Sequence, residues 1–241
     1  MPVAPKVLNL CLFLRPHAAS DGVSMNFETA RHNMIEQQIR PAEVLDQKVL
    51  DVIAATPRED FVPLNYRNLA FVDMMIPLDH GQAMWTPIME GRMLQALALR
   101  SMDTVLEVGT GSGYTAAMLA KLGRRVVTVE IYPELARQAQ QNLNRHGGRD
   151  VVLEIGDASR DWENDAPYDA IVIGGSLPLM PNVYKRRLKT GGRLFAIVGD
   201  TPVMEGVLIT RLGENEWTQE SLFETDVPAL VNAPQPQRFV F

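Results

Sequence analysis

A chain of 241 residues is long enough to bury one sizeable hydrophobic core, and its 46% hydrophobic and 22% charged residues are ordinary for a globular protein. Its net charge of -6 argues against a general nucleic-acid surface, and the sequence contains no apolar run long enough for a transmembrane helix. Cys11 is the only cysteine, which excludes an internal disulfide, argues against a Cys/His metal site and fits a reducing cytoplasm.

Residues 1–24 are expected to form a poorly structured extension ahead of a single domain over residues 25–241. The apolar run within this extension is only eight residues long, is broken by Asn9 and is followed by Arg15 and Pro16. These properties do not fit a signal peptide or a membrane span. Helical periodicity begins directly after this stretch.

Two amphipathic helices are predicted at the start of the domain. The first begins near Phe27, carries apolar residues on one face and ends before Pro41. The second covers residues 49–55, where apolar side chains recur at helical spacing and Asp46 is placed to cap the first turn. The domain therefore opens with a helical section.

An irregular loop is predicted over residues 74–87, followed by a helix over residues 88–99. The loop contains His80 and Trp85, and loops of this kind often carry function. Against a functional role, a lone histidine is more often a hydrogen-bonded surface residue, and a tryptophan in a loop often fills the core. Both interpretations stay open for these two residues.

Strands and helices then alternate regularly. The predicted strands cover Thr104–Val108, Arg125–Glu130, Val151–Ile155, 168–175 and 193–198, and the predicted helices cover Tyr114–Leu122, Pro133–Arg145 and 183–188, the last closed by a glycine stop at residues 189–192. Two further strands, at 207–212 and 218–223, flank a turn and predict a hairpin, and residues 238–241 are a candidate edge strand. The fold class is therefore α/β, a doubly wound Rossmann-like sheet that is mostly parallel and ends in antiparallel strands.

A glycine turn directly follows the first strand of this alternation. Gly109, Gly111 and Gly113 allow the backbone to approach a ligand closely. A dinucleotide fingerprint would need its third glycine at the position of Tyr114, so binding of a pyrophosphate is poorly supported. The turn favours a different nucleotide-like ligand.

Two acidic residues accompany this turn. Glu107 lies within the strand that precedes it, and Glu130 ends the next strand, about 20 residues past the first glycine, where an acid typically binds ribose hydroxyls. Two carboxylates beside a glycine turn suit a cation. Together these residues resemble the S-adenosylmethionine site of Rossmann-like methyltransferases.

Several motifs together carry a more specific resemblance. In chain order they are the stretch Ala-Ala-Thr-Pro-Arg-Glu-Asp-Phe-Val-Pro at 54–63, Ile-Pro-Leu at 76–78 with Gly81, Gln82 and Pro87, the glycine turn at 105–114, and Thr-Gly-Gly-Arg-Leu at 190–194. From about Met25 to Val198 the chain resembles the protein-L-isoaspartate O-methyltransferase family. This resemblance implies S-adenosylmethionine as donor, isoaspartyl-containing proteins or peptides as substrate, a substrate-side section at 25–99 and a cofactor-binding core at 100–241.

The resemblance also implies roles for individual residues. It assigns the donor's amino-acid and ribose side to Glu107, Gly109, Thr110, Gly111, Gly113 and Glu130, and the adenine to Asp157 and Ala158. Gly174 and Gly175 are expected to line the site at the end of the fourth strand. Trp85 and Thr86 occupy the family's active-site loop, and Trp85 stands where that loop has a serine. Tryptophan offers a bulky ring and one N–H donor in place of a hydroxyl.

Isoaspartyl carboxyl methylation is therefore the expected activity, in the cytoplasm and without a metal. Two alternatives remain open because of the altered loop. One is methylation of another acceptor, a small molecule, a peptide or an RNA. The other is a protein that binds S-adenosylmethionine and uses the loop for partner binding without turnover. Methyl transfer to any acceptor would separate the enzyme from the binder.

Overall fold

The computed structural model describes residues 26–146, 148–162, 164, 166–180 and 182–236. A seven-stranded sheet runs through them in the order β5-β4-β3-β6-β7-β8-β9. Its strands are β3 (Thr104–Val108), β4 (Arg125–Glu130), β5 (Val151–Ile155), β6 (Tyr168–Leu177), β7 (Leu188–Asp200), β8 (Val203–Gly213) and β9 (Glu216–Thr225). Strands β5, β4, β3, β6 and β7 are parallel to one another, whereas β8 is antiparallel to β7 and β9 is antiparallel to β8. This confirms the predicted fold class.

Helices cover both faces of the sheet. They are α1 (Phe27–Met34), which continues as a π-helical turn over Ile35–Ile39, then α2 (Gln47–Ala54), α3 (Pro87–Leu97), α4 (Tyr114–Leu122), α5 (Pro133–Arg145) and α6 (Asn182–Arg186). The predicted helices α4 and α5 are confirmed with their bounds. Pro133 lies in the first turn of α5, where its missing N–H costs nothing.

The predicted N-terminal helical section is present, and it packs on one face of the sheet. The Asp46 side chain caps α2 by accepting a hydrogen bond from the backbone N–H of Lys48 at 2.8 Å. The buried side chains Val49 and Ile53 of α2 belong to the same hydrophobic cluster as Leu94 of α3. Burial of this apolar face is what holds a helix of eight residues in place.

Residues 188–192 differ from the prediction. A helix end and a glycine stop are predicted there, but β7 already begins at Leu188, which pairs with Tyr168. The next pair is Ala170 with Arg193, so Asp169 alone faces residues 189–192, which form a bulge. The two glycines therefore serve an irregular strand rather than a helix end.

The loop predicted over residues 74–87 contains a small hairpin. Its strands β1 (Ile76–Pro77) and β2 (Ala83–Met84) pair antiparallel, and residues 79–81 turn between them. The longer hairpin of β8 and β9 is confirmed. The predicted extension at 1–24 and the candidate strand at 238–241 lie outside the described residues. No helix among the described residues combines the length and apolar character needed to cross a membrane.

Candidate active site

Two adjoining cavities lie at the carboxyl ends of the parallel strands. The strand-end cavity is lined by the ends of β3 to β6 together with Leu230 and Val231, and it opens to solvent. The loop cavity, also open to solvent, is lined by residues of the β1–β2 hairpin, Trp85, Glu90, Glu107 and Tyr114. Gly109, Gly111 and Gly174 border both cavities. Ligands of open α/β sheets bind at this edge.

The glycine turn has the left-handed backbone that only glycine adopts without strain. The φ angles are 92° at Gly109, 54° at Gly111 and 83° at Gly113. Gly109 and Gly111 present backbone to the cavities. Gly113 borders neither cavity. It packs against α5 instead, where an added Cβ would lie 3.3 Å from Ala139 and from Leu143. Its absence of a side chain lets α4 and α5 pack closely.

Glu130 is buried at the floor of the strand-end cavity. Its Oε2 accepts a hydrogen bond from the backbone N–H of Gly111 at 2.9 Å, and its Oε1 accepts one from Tyr132 at 3.0 Å. The carboxylate is therefore held in one orientation before any ligand arrives. Each oxygen keeps a lone pair for a hydroxyl donor.

Glu107 belongs to a buried chain of hydrogen bonds. Thr128 Oγ1 donates to Glu107 Oε2 at 2.6 Å, and Thr110 Oγ1 lies 2.6 Å from Thr128 Oγ1. Since the proton of Thr128 is used on the carboxylate, Thr110 is the donor in the second bond. Burial raises the pKa of Glu107 to about 8, although the bond from Thr128 opposes this shift. Thr110 thus orients Thr128 and borders the loop cavity.

Arg58 and Glu90 form a buried ion pair that sequence reasoning missed. Arg58 Nη1 donates to Glu90 Oε2 at 2.6 Å, and Arg58 Nη2 donates to the backbone carbonyl of Trp85 at 2.5 Å. Burial raises the pKa of Glu90 to about 7, and the Arg58 charge opposes that rise. Glu90 shares the buried face of α3 with Leu94 and Leu97 at helical spacing. A charged residue within the apolar face of a predicted helix is the sequence signal from which this buried pair could have been predicted.

Trp85 points inward and Thr86 does not reach either cavity. The Trp85 side chain is 5% exposed, borders the loop cavity and meets the Phe195 ring edge to face at 5.6 Å. The Thr86 hydroxyl caps α3 by accepting a hydrogen bond from the N–H of Met89 at 3.3 Å. The ring of Trp85 is therefore buried against Phe195 at the border of the loop cavity, and the hydroxyl of Thr86 is used elsewhere.

Asp157 and Ala158 follow the end of β5 and line the strand-end cavity. Asp157 accepts hydrogen bonds from the N–H of Ser159 at 2.9 Å and from Asn232 Nδ2 at 2.8 Å. Burial tends to raise the pKa of Asp157, but these bonds hold it below its ordinary value. Gly174 allows the strands to approach, since a Cβ there would lie 3.0 Å from the carbonyl oxygen of Gly109.

His80 secures the hairpin over the strand-end cavity. Its ring stacks on Tyr132 with centroids 4.0 Å apart, and its Nε2 lies 3.6 Å from the Glu134 carboxylate. His80 borders neither cavity itself. His80 is exposed, so these contacts agree with the interpretation of a surface histidine.

This combination of sheet order, glycine turn and strand-end acid defines a Rossmann-like methyltransferase fold. The sequence profile of the protein-L-isoaspartate(D-aspartate) O-methyltransferase family matches residues 29–229, and the chain belongs to this family. The described ranges contain no group of His, Cys, Asp and Glu side chains that could hold a metal ion.

Individual relatives agree with this assignment. A Pelobacter propionicus protein named protein-L-isoaspartate O-methyltransferase 2 is 39% identical over 209 residues, which are 86% of this chain and 93% of that protein. A Rhodopseudomonas palustris protein named protein-L-isoaspartate O-methyltransferase 1 is 36% identical over 92% of this chain and 93% of its own length. A Plasmodium falciparum chain, described as a protein-L-isoaspartate O-methyltransferase and solved with S-adenosyl-L-homocysteine, has the same fold, with a TM-score of 0.73 at 18% identity over 86% of this chain and 99% of that chain.

The two raised carboxyl pKa values predict how stability depends on pH. An unfolded glutamate has a pKa of 4.5, so the folded chain binds the protons of Glu107 and Glu90 more tightly than the unfolded chain does. The stabilisation that these two groups contribute is fully present below pH 4.5. It is lost as the pH rises from there through the folded pKa of Glu90, about 7, and that of Glu107, about 8. We expect Glu107→Gln to reduce this decline, which thermal melts across that pH range would measure.

A matched control keeps this prediction specific. Glu154 lies on β5 and borders neither cavity. Glu154→Gln should shift the melting temperature by a similar amount at every pH. A Glu107→Gln variant whose melting temperature follows the pH in parallel with the parent would contradict the raised pKa.

Proposed function

We propose that this chain transfers the methyl group of S-adenosylmethionine to the carboxylate of isoaspartyl residues in damaged proteins or peptides. The observation that carries the proposal is the Glu130 carboxylate, fixed by two backbone N–H groups where it lines the cavity at the carboxyl ends of the parallel strands. Family membership supports the acceptor, since curated relatives that carry this activity in their names are 35 to 40% identical.

The residues around the strand-end cavity fit the donor. We assign Glu130 to the ribose hydroxyls, because carboxylate oxygens accept strong hydrogen bonds from such donors. Gly109 and Gly111 line both cavities, and Asp157 with Ala158 lines the strand-end cavity alone; we assign these two residues to adenine. Glu107 borders the loop cavity, where a cationic ligand would favour its ionised form.

Positioning is the task left to the protein side chains. When bound, S-adenosylmethionine supplies a methyl group that is already electrophilic, and an isoaspartyl carboxylate with a pKa of about 4 is already ionised at neutral pH. No general base is required. Orienting the two reactants contributes up to roughly 7–11 kcal/mol to lowering the barrier in favourable cases. The walls formed by Trp85 and Tyr114 border the space in which the acceptor would be oriented.

A methyl-transfer assay tests this proposal directly. The purified chain, supplied with donor labelled in the methyl group, should label an isoaspartyl peptide and leave the matched aspartyl peptide unlabelled. Equal labelling of both peptides would contradict the proposed specificity. Tight donor binding with no labelling of any acceptor would support a non-catalytic binding protein instead.

A second candidate function is methylation of a neutral or cationic acceptor. The observation that favours it is the composition of the loop cavity, where Trp85 fills space and Glu90 and Glu107 are the ionisable acids. No lysine, arginine or histidine is among the described residues that line this cavity. An anionic acceptor in this cavity would have no cationic side chain among these residues to pair with. Amine-containing peptides and small molecules should therefore be tested in the same assay.

The cellular setting is part of the proposal. We place the reaction in the cytoplasm, on the argument that a chain with one cysteine suits a reducing compartment. Isoaspartyl-containing proteins are the proposed partners, and they act as substrates.

A further inference from the structure

The family profile ends at residue 229, but the chain continues along the strand-end cavity. The backbone N–H of Leu230 donates to the carbonyl of Ser176 at 2.9 Å, which attaches this continuation to the end of β6. Gly175 makes the contact feasible, because a Cβ at that position would lie 2.7 Å from the Leu230 nitrogen. We call residues 230–233 the C-terminal wall.

The C-terminal wall is anchored at both of its ends. Leu230 and Val231 border the strand-end cavity, which the hairpin residue Gln82 also lines. Ala233 is 6% exposed and belongs to the same hydrophobic cluster as Ala158. The wall is therefore a packed part of the cavity and not a loose end of the chain.

Asn232 connects this wall to the residue assigned to adenine. Its Nδ2 donates to Asp157 Oδ2 at 2.8 Å, while Asp157 Oδ1 accepts from the N–H of Ser159 at 2.9 Å. Asn232 has a φ of 61°, a left-handed conformation that asparagine tolerates better than most residues. The backbone thus turns at this residue so that its amide faces Asp157.

We propose that the C-terminal wall completes the adenine end of the donor site and that Asn232 is a positioning residue that turns the Asp157 carboxylate toward the exocyclic amino group of the purine. The inference rests on the proposed use of S-adenosylmethionine as donor. With Nδ2 and the Ser159 N–H each occupying one oxygen, the remaining lone pairs of Asp157 face a restricted range of directions. A purine that donates from its amino group is accepted there, and one that carries a carbonyl in that position is repelled.

The test compares two ligands that differ only at this position. Binding of S-adenosyl-L-homocysteine and of S-inosyl-L-homocysteine, in which a carbonyl replaces the amino group, is measured by calorimetry on the full chain without an acceptor. Asn232→Gly keeps the left-handed backbone and removes the amide. We expect it to weaken binding of the adenine ligand about fivefold and to leave the inosine ligand nearly unchanged, so that the preference ratio falls.

Further variants make the result decisive. Asn232→Asp places a like charge beside Asp157 and should lower the ratio further. Gln235→Ala alters the same segment outside the cavity and should leave the ratio unchanged. In an Asp157→Ala background, Asn232→Gly should have no further effect on the ratio, because the residue that it positions is gone.

Each outcome bears on the inference. A lower ratio at an unchanged melting temperature supports positioning. Equal losses for both ligands, an unchanged ratio, or additive effects of the two substitutions would overturn it, while donor binding by the unmodified chain would leave the proposed function standing. An unmodified chain that binds neither ligand would overturn the proposed function and this inference together.

Discussion

Trp85→Ser is expected to increase methylation of isoaspartyl peptides by on the order of tenfold or more over the unmodified chain. The ring of Trp85 is buried, borders the loop cavity and lies against Phe195, so it takes up space where an acceptor carboxylate would be held. Serine removes that volume and restores the hydroxyl that the family's loop carries at this position. Turnover of the isoaspartyl peptide is the measurement.

The same substitution is expected to reduce stability. Removing a buried tryptophan typically costs about 3–5 kcal/mol, which is a large part of the stability of an ordinary domain. Activity should therefore be measured well below the melting temperature of the variant. The gain in turnover is expected in spite of this loss, because the enlarged cavity is the proposed acceptor site.

Two companion variants separate volume from chemistry. Trp85→Ala opens the same space without a hydroxyl, so an equal gain in both variants would assign the effect to volume alone. Trp85→Phe keeps a ring against Phe195 and should gain little.

If the unmodified chain is already efficient with isoaspartyl peptides and Trp85→Ser is no better, the tryptophan does not restrict the acceptor. Lower turnover of an amine acceptor in Trp85→Ser would favour the second candidate function.

Glu130→Ala is expected to weaken binding of S-adenosylmethionine and of its demethylated product by about 10- to 100-fold. Loss of charge-assisted hydrogen bonds accounts for about 1.5–3 kcal/mol of this effect. The substitution also leaves the backbone N–H groups of Gly111 and Tyr132 without the acceptors that they have in the structure. The glycine turn should therefore lose order together with the ribose contact. Calorimetry measures the two affinities.

Glu130→Gln separates the contribution of the negative charge from that of the hydrogen bonds. The amide keeps one oxygen acceptor for a backbone N–H but loses the charge, so its affinity should fall between those of the parent and the alanine variant. Glu154→Ala, on the neighbouring strand and outside both cavities, is the control and should bind normally. Unchanged donor affinity in Glu130→Ala would remove Glu130 from the site.

Much of the core could be predicted from sequence because its signals are local. The strand Thr104–Val108 is mostly apolar and is followed at once by glycines, and α4 and α5 were confirmed with their predicted bounds. A buried parallel strand needs such an apolar run, and a helix shows its period within a few turns. Prediction failed at residues 188–192, where pairing of Leu188 with Tyr168 overrides the glycine signal. Strand pairing is a long-range contact that local sequence does not encode.

Short-range pattern and spacing are enough to predict the strands, the glycine turn and the acids Glu107 and Glu130, and the motifs indicate the family. Which distant residues share the site depends on the tertiary structure. Arg58 meets Glu90 and the carbonyl of Trp85 across 32 and 27 positions of the chain, and Asn232 meets Asp157 across 75. Such contacts depend on how elements pack around a common core, and that packing is cooperative over the whole domain.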